Sequence, residues 1–312
     1  MSGHWKGSKE TIKIPDPLSG DPFILVPATS DRESIEFIES LNTCGKSGLH
    51  NPLKNVDRYL LYGNICAKAA QELAKPEVSE FFIHLIQRVA PKSYKQAKGE
   101  VSVTQKFLEN FGGDQVRFLA RSFSNPGDHD GQISSGHRWP YGPVVVISPF
   151  NFPIEIPLLQ AMGALFMGNK VLLKVDSRVS VVMEQALRLL HHCGLPMTDL
   201  DLIHCDAAVM HRLLIDAKPR MTQFTGSSRV AELLSRDLHG RIKIEDAGWD
   251  WKILGPDVSD MELVAFTSDQ DAYAYSGQKC SAQSALFVHR NCKALATTTS
   301  LSEVLYCIVS FE

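Results

Sequence analysis

The first third of the chain carries apolar residues at helical spacing. Between residues 56 and 73, the residues Leu60, Leu61, Ile65 and Ala69 recur at intervals close to one helical turn. Further segments with the same period cover residues 77–89 and 105–123. This period gathers the apolar side chains on one side of a helix. The first 125 residues are therefore predicted to be mostly helical.

Beyond residue 143 the pattern changes to short, continuous apolar runs that alternate with helical segments. The run VVVIS at residues 144–148 is typical of a strand that is buried on both faces. The predicted strands cover residues 144–148, 171–175, 201–205, 221–225 and 241–245. The predicted helices between them cover residues 154–167, 180–192, 207–217 and 228–238. This alternation predicts an α/β fold with a doubly wound parallel sheet that has helices on both faces.

The segment between these two patterns is rich in Gly, Ser and Asp. Residues 125–142 read NPGDHDGQISSGHRWPYG, which predicts a loop or an exposed hairpin. The changes of pattern divide the chain into four predicted regions. They are residues 1–125, 126–143, 144–248 and 249–312.

The composition excludes several classes of function. The 312 residues are 44% hydrophobic and 21% charged, with a net charge of −3, which is typical of a globular protein without a basic surface for nucleic acid. No apolar run approaches the ~18 residues that span a bilayer, so no membrane association is predicted. The seven cysteines form no CxxC pair and the histidines form no HExxH motif. We therefore predict neither a disulfide framework nor a metal site.

Polar groups lie at the carboxyl ends of the predicted strands. Asn151 shortly follows the first strand, Lys174 is near the end of the second, and Gly226 and Ser227 follow the fourth. Glu245 closes the fifth strand. Open α/β sheets bind ligands at the carboxyl edge, where right-handed crossovers bring these ends together. The sequence therefore predicts a ligand site at this edge.

Cys280 lies in a polar segment, YSGQKCSAQS, beside Lys279. A nucleophilic thiol must be exposed and partly ionised, and a neighbouring cation or backbone N–H groups lower its pKa. The alternative is a buried thiol that packs as a small apolar group. The local sequence leaves both interpretations open.

The other candidates have structural alternatives too. Asn151 is also placed to form an Asx turn before Pro153. Ser227 is equally compatible with a plain helix N-cap, which is the commoner role of serine at such a position. Glu245 is compatible with a solvated carboxylate that simply ends a strand.

Four motifs, SPFNFP, FTGSS, KIEDAG and SGQKCSAQS, occur in this order between residues 148 and 284. In order and spacing they resemble the aldehyde dehydrogenase superfamily. Longer segments are similar to its plant-type delta-1-pyrroline-5-carboxylate dehydrogenase branch: RVAPKSY, QKFLENFGGDQVRFLARSF, EIPLLQAMGALFMGNKVLLKVDS and EDAGWDWKILGPDV. The similarity extends from about residue 15 to residue 291. It implies a Rossmann-like fold that binds its dinucleotide without the GxGxxG fingerprint, which this sequence lacks.

The resemblance implies a role for each catalytic candidate. Cys280 attacks the aldehyde carbonyl and forms a thiohemiacetal. The Asn151 side-chain amide and the Cys280 backbone N–H stabilise the oxyanion. Glu245 activates the water that hydrolyses the resulting thioester, with Asp246 as the second candidate for this general base.

The cofactor that the resemblance implies is NAD. Lys174 is expected to bind the adenosine ribose, and Gly226 and Ser227 the pyrophosphate at a helix N-terminus. Backbone groups of four residues are expected to line the cofactor path: Ile147, Ser148, Pro149 and Phe150. Ser177 stands where many relatives have a Glu that disfavours a 2′-phosphate, so the exclusion of NADP stays open. Trp249 and Trp251 are expected to be core aromatics rather than residues that stack on the substrate.

The resemblance also gives roles to the four regions. Residues 1–125 are the helical part of the NAD-binding domain, 126–143 an oligomerisation hairpin, and 144–248 the NAD-binding core. Residues 249–312 are an incomplete catalytic domain with a divergent tail, because relatives carry well over a hundred further residues there. The tail segment LSEVLYCIVSF is predicted to be an unpaired apolar strand. A fragment is favoured over a minimal enzyme.

The leading functional hypothesis is the NAD-dependent oxidation of L-glutamate 5-semialdehyde, the open form of pyrroline-5-carboxylate, to glutamate in proline breakdown. Alternatives are another aldehyde specificity, a dinucleotide-binding chain without turnover, and a cysteine hydrolase, for which no His base lies close to Cys280 in sequence. The family branch is mitochondrial and forms homo-oligomers. The start, MSGHWKGSKETIKIPDP, lacks an import signature, so matrix and cytosol are both open.

Overall fold

The computed structural model describes residues 3–51, 53, 57–292 and 308–311, and the chain divides into two compact units, Met1–Glu245 and Asp246–Glu312. The strands of the first unit are β1 (Thr11–Pro15), β2 (Pro22–Pro27), β3 (Phe123–Pro126), β4 (Ile133–Gly136), β5 (Pro143–Ile147), β6 (Lys170–Lys174), β7 (Leu200–Ile203), β8 (Met221–Thr225) and β9 (Ile242–Glu245). Its helices are α1 (Asp31–Asn42), α2 (Asp57–Leu73), α3 (Pro76–Val89), α4 (Tyr94–Glu109), α5 (Gln115–Ala120), α6 (Glu155–Phe166), α7 (Ser180–His192), α8 (Ala207–Ala217) and α9 (Ser228–Asp237). The second unit contains β10 (Asp250–Leu254), α10 (Met261–Tyr273), β11 (Gln283–His289) and β12 (Ile308–Phe311).

A five-stranded parallel sheet forms the centre of the first unit. Its strand order is β7-β6-β5-β8-β9. The chain builds the sheet outward from β5 to β7 on one side, and then continues with β8 and β9 on the other side of β5. On one face, α1, α8 and α9 pack against strand residues that include Val145 and Leu172. The neighbouring residues Val144 and Val171 are also fully buried, and α6 packs on β5 and β6. The doubly wound α/β fold predicted from the sequence is therefore confirmed.

The helical region that precedes the sheet differs from the prediction in two places. The predicted helix at residues 105–123 is wrong, because α4 begins much earlier and ends at Glu109. Ser93 precedes α4 and forms a capping box with Gln96. The Ser93 side chain accepts a hydrogen bond from Gln96 N–H, and the Gln96 side chain accepts one from Ser93 N–H. The break before α5 contains Gly113, whose φ of +56° suits glycine. The antiparallel β1–β2 pair was also not predicted.

Two structures were predicted for the Gly- and Ser-rich segment, a loop or an exposed hairpin. The structure shows the hairpin. Strand β3 pairs with β4 in antiparallel register, from Phe123 opposite Gly136 to Pro126 opposite Ile133. Most of its residues are exposed. The role of this hairpin in oligomerisation stays a prediction, as does the division of the chain into four regions.

The second unit is a three-stranded parallel sheet, β10-β11-β12, with α10 on one face. The tail strand was predicted to lack a partner, and this is wrong for the part described, because Ile308–Phe311 pairs with Leu286–His289 of β11. The remainder of the predicted tail strand lies outside the described residues. No helix in the described part of the chain has the length and apolar character needed to cross a membrane.

The prediction that Trp249 and Trp251 are core residues is also wrong. Trp249 is 80% exposed and Trp251 is 62% exposed. Lys252, the next residue along β10, bonds Asp271 and Ser268 of α10. Because side chains alternate across a strand, Trp251 points to the face of β10 opposite α10.

Candidate active site

The carboxyl ends of four parallel strands place the predicted residues of the first unit at one edge of the sheet. Ile147 at the end of β5 pairs with Lys174 at the end of β6, and Thr225 of β8 pairs with Glu245 of β9. Backbone hydrogen bonds continue this register beyond the strands. Ser148 N–H donates to the Lys174 carbonyl at 3.0 Å, and Gly226 N–H donates to the Glu245 carbonyl at 3.1 Å. The predicted gathering of polar groups at this edge is confirmed.

The segment after β5 contains buried polar atoms without a partner. Ser148 is 4% exposed, and its Oγ makes no hydrogen bond in the structure. Asn151 is half-buried, and its Oδ1 is buried and also lacks a partner. The Asx turn considered for Asn151 is therefore absent, since that turn requires Oδ1 as an acceptor. Buried polar atoms without partners are uncommon in folded proteins and suit a site that binds a polar ligand.

The backbone that follows β8 has the features of an anion site. Ser227 is the N-cap residue of α9, but its side chain makes no capping hydrogen bond. The adjacent Gly226 leaves no space for a side chain, because a Cβ there would lie 2.6 Å from the Phe224 ring. The N-terminus of a helix attracts anions through its N–H groups and its dipole. This terminus, with half-buried Lys174 on the same sheet edge, can hold a dinucleotide.

Arg178 is a residue at this edge that the sequence analysis missed. Its guanidinium carbon lies 4.6 Å from the centroid of the Phe150 ring, and Asp176 holds it through two hydrogen bonds of 2.9 and 2.7 Å. Burial alone would raise the pKa of Asp176, but hydrogen bonds from the Arg178 side chain and backbone lower it. The Asp-Ser-Arg spacing was the available signal. These contacts hold the Arg178 guanidinium in place one residue after Ser177, the position at which the choice between NAD and NADP was left open.

Cys280 lies in the second unit, on a turn that precedes β11. Ala282 N–H donates to the Lys279 carbonyl at 3.2 Å, which places Cys280 at the centre of the turn. Just before it, Tyr275 and Ser276 have φ values of +57° and +54°, and Gly277 has a φ of +69°. Such conformations are unfavourable for residues with side chains and cluster at functional sites.

Burial distinguishes Cys280 from the other cysteines whose side chains the structure describes. Cys280 is exposed, whereas the other four are buried. Burial raises the pKa of Cys66 to about 12 and that of Cys205 to about 11. It raises the pKa of Cys44 and Cys193 as well. The buried-thiol alternative is therefore wrong for Cys280.

The two candidate general bases lie next to each other where β9 ends. Glu245 is its last residue, Asp246 follows, and both are exposed. Exposure is compatible with a general base and with a solvated carboxylate. That Cys280 meets Asn151 and Glu245 around one pocket stays a prediction, because Cys280 belongs to the other unit.

Comparisons with known proteins agree on a family. The sequence profile of the aldehyde dehydrogenase family matches residues 6–304. The chain is 62% identical over 304 residues to the Arabidopsis thaliana protein named delta-1-pyrroline-5-carboxylate dehydrogenase 12A1, mitochondrial, covering 97% of this chain and 55% of that protein. It is 31% identical over 255 residues to 1-pyrroline-5-carboxylate dehydrogenase of Bacillus subtilis, covering 77% of this chain and 48% of that protein.

A solved structure supports the same assignment. NADP-dependent glyceraldehyde-3-phosphate dehydrogenase from Bacillus halodurans, complexed with NADP, has a TM-score of 0.80 and 25% identity to this chain. The match covers 97% of this chain and 63% of that protein. The chain thus spans about half to two thirds of the length of these relatives. A profile match over nearly all of its residues, on a fold of the same kind, means that the chain belongs to the aldehyde dehydrogenase family.

Proposed function

We propose that this chain takes part in the NAD-dependent oxidation of L-glutamate 5-semialdehyde, the open form of pyrroline-5-carboxylate, to glutamate in proline breakdown. The observation that carries the proposal is the 62% identity, over 97% of the chain, to a plant protein named delta-1-pyrroline-5-carboxylate dehydrogenase. The exposed thiol of Cys280 supplies the nucleophile that this chemistry needs.

The first chemical step joins the substrate to Cys280. The thiolate adds to the aldehyde carbon, and the carbonyl electron pair moves onto oxygen. The Asn151 amide and the Cys280 backbone N–H donate to this oxyanion. Donors that are fixed in place before the charge develops are worth about 2.7–4 kcal/mol each in comparable sites.

The residues at the sheet edge fit a nicotinamide dinucleotide. The start of α9 without a side-chain cap, the lack of space for a side chain at Gly226 and the unpartnered Ser148 Oγ support this fit, with Lys174 on the ribose. When bound, the nicotinamide ring would accept the hydride that leaves the substrate carbon. The oxyanion electron pair then re-forms the C=O bond, which leaves a thioester on Cys280. Glu245 then takes a proton from water, which attacks the thioester carbon. The carbon–sulfur bond breaks, which releases glutamate and the Cys280 thiol.

Compartment and assembly belong to the proposal as well. The name of the plant relative includes mitochondrial, which supports the matrix as the site of action. The exposed β3–β4 hairpin supports contact between copies of the chain.

The experiment measures NADH formation by the purified 312-residue chain with pyrroline-5-carboxylate as substrate. We expect turnover in the wild type and none in Cys280→Ala, because the nucleophile is lost. The matched control is Cys205→Ala, which removes a buried thiol and should retain turnover. Equal activity in the wild type and Cys280→Ala would reject the assignment of the nucleophile.

A second candidate function is dinucleotide binding without turnover. The observation that favours it is the division of the candidate residues between the two units. Lys174, Gly226 and Ser227 all lie in the first unit, whereas Cys280 lies in the second, whose described part has a small buried apolar cluster of Leu254, Leu286 and Val288. Calorimetric NAD binding by a chain that forms no NADH would support this candidate over the first. Absence of NAD binding would count against both.

A further inference from the structure

An ion pair in the first unit has almost no contact with solvent. Lys92 Nζ lies 2.6 Å from Glu100 Oε2, and each side chain is 1% exposed. A buried ion pair gains little net stability, because both charges must leave water. A pair of this kind therefore calls for an explanation other than stability.

The second oxygen of Glu100 binds the segment that follows Asn151. Glu100 Oε1 accepts hydrogen bonds from Ile154 N–H at 3.0 Å and from Glu155 N–H at 3.3 Å. Helix α6 begins at Glu155 and has no side-chain cap of its own at Ile154. A carboxylate of α4 thus caps α6, satisfies two of its first N–H groups and complements the helix dipole.

Lys92 holds the same segment from a second direction. Its Nζ lies 4.1 Å from the centroid of the Phe152 ring, a distance typical of a cation–π contact. Phe152 is the residue next to Asn151. The ion pair therefore contacts Phe152, Ile154 and Glu155, which closely follow Asn151. The Asn151 Oδ1 itself has no hydrogen-bond partner.

We propose that Lys92 and Glu100 are positioning residues for Asn151, which is held at the place where its amide meets the substrate oxyanion. The inference rests on the proposed function of Asn151, and neither residue touches the reacting atoms. Glu100 is well suited to this role because it lies in the middle of α4, with Thr104 Oγ1 bonded to its carbonyl at 2.8 Å. A donor misplaced by an ångström can lower a rate by about 100-fold.

The test compares Glu100→Ala and Glu100→Gln with Asp199→Asn as a matched control. Asp199 is also buried in the first unit, where its carboxylate accepts hydrogen bonds from Arg58 and Tyr62 of α2. The first readout is hydrogen exchange of the Ile154 and Glu155 amides in the full chain. We expect it to rise about tenfold in Glu100→Ala and less in Glu100→Gln, which keeps an acceptor, with no local rise in Asp199→Asn. No local rise in Glu100→Ala, or an equal rise in Asp199→Asn, would overturn the inference.

The second readout is turnover. We expect Glu100→Ala to lower kcat about 10- to 100-fold with little change in KM, and to add little to the loss caused by Asn151→Ala. Additive losses would show that Glu100 acts elsewhere and would overturn the inference. A wild-type chain without turnover would reject the proposed function, while the exchange readout would still decide whether the pair fixes the loop. If Glu100→Ala fails to fold, Glu100→Gln provides both readouts.

Discussion

At the scale of single residues, burial assigns different chemistry to cysteines of the same chain. Cys280 is exposed on a turn, whereas Cys66 and Cys205 are buried and have pKa values raised to about 12 and about 11. Only a thiolate reacts rapidly with an alkylating reagent. We expect iodoacetamide at pH 8 to modify Cys280 in the folded chain at least about 100-fold faster than Cys66 or Cys205, as peptide mass spectrometry would measure.

Two controls make this prediction specific to the folded state. In denaturant the three cysteines should react at similar rates, because burial no longer raises any pKa. Cys280→Ser should remove the fast site and leave the slow ones unchanged. Fast modification of Cys205 in the folded chain would contradict the burial on which the assignment rests.

Positions that depend on the local pattern were predictable, and contacts between residues far apart in the sequence were not. Lys174 lies near the end of the predicted strand 171–175, and Gly226 directly follows the predicted strand 221–225, so the sequence alone places them at strand ends. Glu100 caps a helix that begins 55 residues later, and no local pattern marks that contact. Trp251 was misplaced because an apolar side chain in a strand has two possible faces, and α10 covers only one of them.

At the scale of elements, the capping residues at helix ends decided which helix bounds could be predicted. The prediction for α8, residues 207–217, matches the structure, and Asp206 before it caps the helix by accepting from Val209 N–H at 2.7 Å. The prediction for residues 105–123 failed because it followed the apolar period across Gly112 and Gly113, and overlooked the capping box at Ser93. A period shows that a helix exists, and its caps show where it begins.

The cap at Asp206 leads to a prediction about stability. Asp206→Ala removes the side chain that accepts from Val209 N–H, so the free energy of unfolding should fall by about 1 kcal/mol. Urea denaturation without cofactor would measure the change. Ser227→Ala is the matched control, since Ser227 is the N-cap of α9 but makes no side-chain bond and should change stability by less than about 0.5 kcal/mol. Equal losses in both variants would contradict the role of the Asp206 hydrogen bond.

At the scale of the whole molecule, the two units contain cores of very different size. In the first unit, three helices cover one face of a five-stranded sheet and α6 covers the other. In the described part of the second unit, the buried apolar cluster consists of Leu254, Leu286 and Val288, with partly buried residues of α10 and the turn before it packed around them. Regions with few buried apolar contacts open at lower free energy than well-packed cores. The second unit should therefore be the less stable part of this chain.

Hydrogen exchange and two core substitutions test this difference in stability. Amides of β10 and β11 should exchange faster than amides of β5 and β6. Leu286→Ala, at a position with no exposure, removes a large share of a small core and should cost about 2–5 kcal/mol. That loss should raise exchange throughout β10 and β11 and leave β5 and β6 protected. Leu172→Ala in β6, equally buried, should instead raise exchange across the five-stranded sheet. Equal protection of both sheets in the wild type would mean that the chain opens as one cooperative body, and the small core of the second unit would then not limit its stability.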